Sequence, residues 1–267
     1  MSDISKEHYL ALIRNCLTGA IYPGNEGALW PSRFLMRKLL ARFFPRGVRF
    51  YKLTTPEARR KGDTWPSHAQ SMIGEMRLEN LQFCVEDVLK RGVPGDLIET
   101  GVWRGGAVIF MRAILKAHGI TDRKVWVADS FQGLPKPNTK KYEADAGDLL
   151  YLIPELAVSI EQVKANFAAY GLLDDQVQFL KGWFKDTLPT APISKLAVAR
   201  LDGDLYESTM DSLTNLYPRL SVGGYLIIDD YILHFCKKAV HDYREKNDIE
   251  DPICKIDDQG IFWMKTK

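Results

Sequence analysis

From about residue 71 to the C-terminus, short runs of apolar residues alternate with longer stretches whose apolar positions recur three and four apart. The first pattern predicts strands and the second predicts helices. In chain order it predicts a long helix over 71–91, the strand DLIET (Asp96–Thr100), a helix over 105–118 and the strand KVWVAD (Lys124–Asp129). A long loop with Pro and Lys residues leads to a helix over 160–170 and the strand VQFLKG. The strand KLAVARLD, a helix over 208–220, the strand GGYLIIDD and a helix over 236–246 follow. Two short strands, PICKID and GIFWMK, close the chain around Asp258-Gln259-Gly260. Strands alternating with helices imply βαβ units, so the expected fold is α/β, a doubly wound and mostly parallel sheet. The last pair is expected to add an antiparallel hairpin.

The first 70 residues have a different pattern and are expected to form an N-terminal helical extension, with 71–267 as the main domain. Between Arg33 and Arg49 six basic residues and no acid interleave with Phe34, Leu35, Met36, Leu39, Leu40, Phe43 and Phe44. That is a basic amphipathic helix, which could lie on a membrane surface. A helix packed on its own domain or on a twin subunit is the preferred expectation. Lys61–Ser67, KGDTWPS, has the composition of a linker or loop.

Composition changes this picture little. Apolar residues make up 46% of the 267 and charged residues 26%, enough for a buried core and a solvated surface. A formal net charge of +2 gives no overall field for nucleic acid, and none is expected as a partner. Cys16, Cys84, Cys236 and Cys254 are scattered without a C-x-x-C pair, which fits a reduced, cytoplasmic protein. The N-terminus lacks a basic region followed by an apolar core, so no signal peptide is expected. No apolar run is long enough to span a membrane.

Chemistry collects where the strands end. In doubly wound sheets ligands bind beyond the carboxyl ends of the strands. Those ends carry Glu99 and Gly101, Asp129, Gly182 and Trp183, Asp202 and Asp204, and Asp229 and Asp230. One acid there is an ordinary turn or cap residue. Acids at four of five ends point to a ligand. The first turn, ETGVWRGGA, fails the dinucleotide fingerprint G-x-G-x-x-G because position 103 is Trp, and it has no P-loop lysine. It fits E-x-G-x-x-x-G, the glycine turn of S-adenosylmethionine-dependent methyltransferases, with Gly101 allowing close backbone approach and Gly105 opening the helix. Asp129 is placed to clasp a ribose diol, or else to cap the loop SFQGLP.

The stretch Asp202-Gly203-Asp204 sets two like charges one glycine apart, which is costly unless a cation sits beside them. Asp202, Asp229 and Asp230 would give three oxygen ligands from neighbouring strand ends. Hard oxygen ligands suit Mg²⁺, and the absence of a His/Cys cluster argues against zinc. Asp204 is then free to take a proton, with His234 as a second-ranked base.

The segments MIGEMRLENL, LIETGVWRGGA, ADSFQGLP, RLDGDLYEST and GGYLIIDDY closely resemble the macrocin O-methyltransferase family. The resemblance runs from about residue 71 to the C-terminus. It implies a Rossmann-like methyltransferase sheet, S-adenosylmethionine and Mg²⁺ as cofactors, and a sugar hydroxyl of a glycosylated antibiotic as acceptor. It also implies a homodimer with N-terminal helices as a lid. Matched residue by residue, Asp202, Asp229 and Asp230 are the metal ligands and Asp204 the catalytic base. Met72, Glu99, Gly101, Asp129, Ser130 and Trp183 belong to the cofactor pocket, with Thr100, Gly105 and Gly182 counted at the same turns. Catechol-type relatives place a Lys base three positions after the first ligand, where this chain has Leu205. A non-sugar acceptor is the main alternative. A dehydrogenase and a non-catalytic adenosyl-binding or membrane-surface module are the others. The loop 131–155, with Lys136, Lys140 and Lys141, either closes over the site or is simply solvated.

Overall fold

The computed structural model describes residues 2–22, 27–30, 36, 38, 39, 42, 43 and 50–267. Most of the expected basic helix over 33–49 lies outside the described residues. Helix α1 (Asp3–Leu17) comes first, then an antiparallel pair, β1 (Gly27–Trp30) and β2 (Phe50–Leu53), and helix α2 (Pro56–Lys61). The main sheet follows. Its elements are α3 (Gly74–Lys90), β3 (Asp96–Thr100), α4 (Gly106–Ala117), β4 (Val125–Asp129), α5 (Ile160–Ala169) and β5 (Val177–Lys181). Then come the short α6 (Phe184–Thr187), β6 (Leu196–Leu201), α7 (Tyr206–Leu216), β7 (Leu220–Ile228), α8 (His234–Lys246), β8 (Cys254–Lys255) and β9 (Ile261–Met264).

The sheet order is β5-β4-β3-β6-β7-β9-β8. The first five strands are parallel, and β9 and β8 complete it as the expected antiparallel pair. The order reverses between β3 and β6, and such a reversal opens a crevice at the strands' carboxyl ends. Successive strand residues face opposite sides, and the core divides accordingly. Leu97, Val125, Val127, Val198 and Ile227 pack with α3, α4 and α5 on one face. Ile98, Trp126, Ala128, Ala199, Leu226 and Ile228 pack with α7 and α8 on the other.

Several boundaries differ from the sequence expectation: helix α8 starts at His234 and not 236, and β7 runs over Leu220–Ile228. Helix α7 starts at Tyr206, not 208, and stops at Leu216, where a 3₁₀ turn through Pro218 leads into β7. Helix α3 starts at Gly74, where φ is 76° and a Cβ would lie 2.3 Å from Gly62 N. The N-terminal extension is tied into the core: Leu10, Ile13 and Leu17 of α1 are buried with the α3 and α4 side chains. The segment expected as a linker is pinned as well, since Arg104 donates to the carbonyls of Pro66 and Ala69. Among the described residues no helix is long and apolar enough to cross a membrane.

Candidate active site

The carboxyl ends of β3, β4, β6 and β7 form the floor of one cavity of about 470 Å³. That size is typical of small-molecule sites. Met72, Glu99, Gly101, Asp129, Ser130, Trp183, Asp202, Asp204, Asp229 and Asp230 all line it. Thr100, Gly105 and Gly182 do not. The Thr100 hydroxyl turns away to Ser212 Oγ at 3.2 Å. Gly105 stands in the left-handed region at φ 88° before α4, with Val163 3.0 Å from where a Cβ would be. Gly182 turns the chain beside Thr187. His234 is exposed at the start of α8 and is not among the lining residues.

The glycine turn is built as tightly as the sequence demands, but the first constraint is internal. A Cβ on Gly101 would lie 1.6 Å from the Asp202 carbonyl oxygen, because β3 and β6 leave the sheet side by side there. Trp103 holds the left-handed conformation at φ 46° that a glycine would take more easily. Its indole N–H donates to the Glu155 carbonyl at 2.8 Å, and the Arg104 guanidinium lies 4.1 Å from its ring centre. Asp129 does cap its own loop: Oδ2 accepts from Val102 N at 2.8 Å and Oδ1 from Phe131 N at 2.6 Å. Burial still pushes its carboxyl above the ordinary range, and the carboxylate lines the cavity.

Two arginines missed by motif reasoning organise the floor. Arg200, on β6 and almost fully buried, contacts Glu99 Oε1, Asp229 Oδ1 and, at 2.8 Å, Asp202 Oδ2. Arg77, on α3, donates to Asp229 Oδ2 at 2.5 Å and lies 3.1 Å from Asp257. The visible signal was an arginine inside the apolar run LAVARL, where a lone charge is unaffordable without partners. The other oxygen of Glu99, Oε2, is buried and has no hydrogen-bond partner. Burial, outweighing Arg200, raises the Glu99 carboxyl to about 8.

The carboxylates of Glu99, Asp202, Asp229 and Asp257 thus meet two guanidinium groups, and Asp204 and Asp230 stand beside them. Asp202, Asp204 and Asp230 each bring one oxygen within 4.8 Å of the others. Asp230 Oδ2 also accepts from Asp204 N at 2.9 Å, and Asp204 holds φ 56°. Burial, then the neighbouring acids, pushes Asp204 and Asp230 well above the ordinary carboxylate range and Asp202 to about 6. Among the described residues this is the one cluster with a cation's donor set, and it is all oxygen. Cys236, close behind, is held protonated by burial and offers no thiolate. The donors fit a hard divalent ion. Asp229, expected in the same set, is engaged through both oxygens by Arg77 and Arg200.

The loop after β4 forms one wall of the cavity. It makes short 3₁₀ turns at Glu143–Asp145, Leu150–Leu152 and Pro154–Leu156. Leu134, Lys136, Leu150 and Leu156 face the cavity from it. Opposite stand Phe184, Glu207, Asp211, Ile232 and Leu233, with Asp211 raised to about 6 by burial and by Glu207.

Residues 6–265 match the macrocin-O-methyltransferase (TylF) family. The chain is 62% identical over 206 residues to the 8-demethyl-8-(2,3-dimethoxy-alpha-L-rhamnosyl)-tetracenomycin-C 4'-O-methyltransferase of Streptomyces olivaceus. That match covers 77% of this chain and 79% of the relative. It is 59% identical over 213 residues to the demethyldecarbamoylnovobiocin O-methyltransferase of Streptomyces niveus, covering 79% of this chain and 81% of that one. The solved structure of the O-methyltransferase NovP superposes with a TM-score of 0.87 at 50% identity, over 98% of this chain and all of NovP. The calicheamicin methyltransferase CalS11, at 20% identity and a TM-score of 0.57 over 71% of this chain and 79% of its own, shares the fold. The chain therefore belongs to the macrocin-O-methyltransferase family and is an O-methyltransferase that uses S-adenosylmethionine.

Proposed function

We propose that the chain methylates a sugar hydroxyl of a glycosylated natural product, with a divalent cation, Mg²⁺ by its chemistry, at the acid cluster. The observation that carries this reading is the excess of carboxylates over guanidinium groups on the cavity floor, beside a turn of methyltransferase type. The relatives named above are enzymes of glycosylated or rhamnosylated compounds, and they support the same acceptor class. Cytoplasmic action as a homodimer belongs to this reading, and exposed Ile4, Leu12 and Phe83 offer apolar surface for a partner.

S-adenosylmethionine supplies a methyl group on a sulfonium, ready for in-line displacement. Glu99 Oε2, buried without a partner, takes a donor of that cofactor, and Asp129 holds its ribose hydroxyls. Gly101 and Trp103 shape the turn against it. A divalent cation would neutralise the acid cluster and acidify an acceptor hydroxyl. Asp202 and Asp230 would hold it in either arrangement of the third ligand. Asp229 is the third ligand by sequence, and Asp204 is the nearer one by geometry. We take Asp229, the ligand that the sequence pattern gives, because this leaves Asp204 to receive the acceptor proton. Burial and the neighbouring acids raise the Asp204 carboxyl, which makes it a better proton acceptor.

The acidic rim of Asp204, Glu207 and Asp211 suits an acceptor rich in hydroxyl donors. Two neighbouring hydroxyls would fix the reacting oxygen's direction, whereas one leaves it free to swing. The test is a pair of glycosides built on demethyldecarbamoylnovobiocin, one intact and one deoxygenated beside the reacting carbon. A fall in kcat of about tenfold or more for the deoxy compound is expected, since orientation is lost. Equal kcat for the two, or methylation of neither, contradicts the sugar-hydroxyl reading.

A further inference from the structure

Helix α7 starts two residues after Asp204, yet its N-cap residue, Leu205, provides no side-chain acceptor. The first N–H groups of a helix have no partner within it and are usually met by a short polar side chain at the cap. Here the acceptor comes from the cavity-wall loop. Asp145 Oδ1 accepts from Tyr206 N at 2.6 Å, and Oδ2 accepts from Glu207 N at 3.1 Å. Asp145 has no exposed surface, so its charge depends on these two amides and on the positive end of the helix.

The same loop is fastened to α7 a second time, by the rings of Tyr142 and Tyr206, 5.8 Å apart. The Tyr206 hydroxyl in turn donates to Asp242 of α8 at 2.8 Å. Between β6 and the capped turn lies the segment Asp202-Gly203-Asp204. Leu205 N donates to the Gly203 carbonyl at 2.5 Å, so this turn has little slack. Asp204 holds its left-handed backbone there, a conformation that persists only when its surroundings fix it. The loop encloses the cavity through Leu134, Leu150 and Leu156 and caps the helix that follows Asp204.

We propose that Asp145 is a positioning residue for methyl transfer. Docking of the loop 131–158 caps α7 through Asp145 and sets Asp204, so that closing the cavity and assembling the base are one event. The proposal rests on Asp204 being the base.

Hydrogen exchange read by mass spectrometry tests the coupling without any acceptor. In Asp145→Ala, peptides over 139–150 and over 203–208 should exchange faster together, by about tenfold, while peptides over 96–106 keep wild-type rates. With demethyldecarbamoylnovobiocin as acceptor, kcat should fall about 10²-fold, the cost of a displacement near 1 Å. S-adenosylhomocysteine affinity should stay within about twofold. Asp145→Asn keeps one acceptor and loses the charge, so its kcat should fall about tenfold. Ser159→Ala strips a cap of the same type from α5, where Ser159 Oγ accepts from Gln162 N at 3.2 Å. It should keep kcat within about twofold, which separates positioning from general loss of stability. Wild-type kcat in either Asp145 variant, or faster exchange confined to 139–150, overturns the proposal. If Asp145→Ala does not fold, Asp145→Asn decides by the same criteria. Wild-type protein that binds S-adenosylhomocysteine but methylates no glycoside would overturn the proposed acceptor instead, and the exchange result would still decide the coupling.

Discussion

Asp204 and Asp229 divide the work of the acid cluster by their neighbours. Asp229 has cations on both oxygens, whereas Asp204 has acids around it and donates its backbone N–H to Asp230 Oδ2. As the base, Asp204 should matter to the chemistry more than to ligand binding. General-base catalysis contributes about 10²–10⁴-fold, so Asp204→Asn should lose kcat by that order. Its Mg²⁺ and S-adenosylhomocysteine affinities, read by calorimetry, should remain near wild type. Loss of Mg²⁺ affinity in Asp204→Asn, with retention in Asp229→Asn, would make Asp204 the ligand instead. The carboxylates themselves were visible from sequence, because acids at strand ends stand out against apolar runs. The partners that divide them were not: Arg77 and Arg200 reach the floor from elements far apart in sequence, and only folding brings them to Asp229.

Elements were legible where a local pattern decides them. The parallel strands β3, β4, β6 and β7 are buried over most of their length because both faces are covered, and their apolar runs marked them. The start of α7 was not legible, since its cap, Asp145, lies in another loop. The role of α1 was also hidden. Leu10, Ile13 and Leu17 share one face, and sequence does not say what that face meets. In the structure Leu17 is fully buried, and its carbonyl accepts from Ser71 N at 3.0 Å, next to the cavity-lining Met72. Leu17→Ala should therefore cost about 2–5 kcal/mol of stability, as for other core truncations. Urea unfolding would show it as a lower midpoint at unchanged slope. A change within about 0.5 kcal/mol, the range of surface substitutions, would mean that α1 is not part of the core.

At the scale of the whole molecule, the sheet gathers the carboxyl ends of β3, β4, β6 and β7 on one side, and the wall loop and the segment 62–73 close over them. Six carboxyl groups and only two guanidinium groups gather at the bottom of a cavity that must also take a hydroxyl and remove its proton. A divalent cation resolves that imbalance, and the whole account turns on it. The most direct measurement is transfer of a labelled methyl group from S-adenosylmethionine to demethyldecarbamoylnovobiocin, before and after EDTA treatment and desalting. Wild-type protein should lose transfer on chelation and recover it with Mg²⁺, and Asp202→Ala should not recover. Transfer undiminished by chelation would contradict the account.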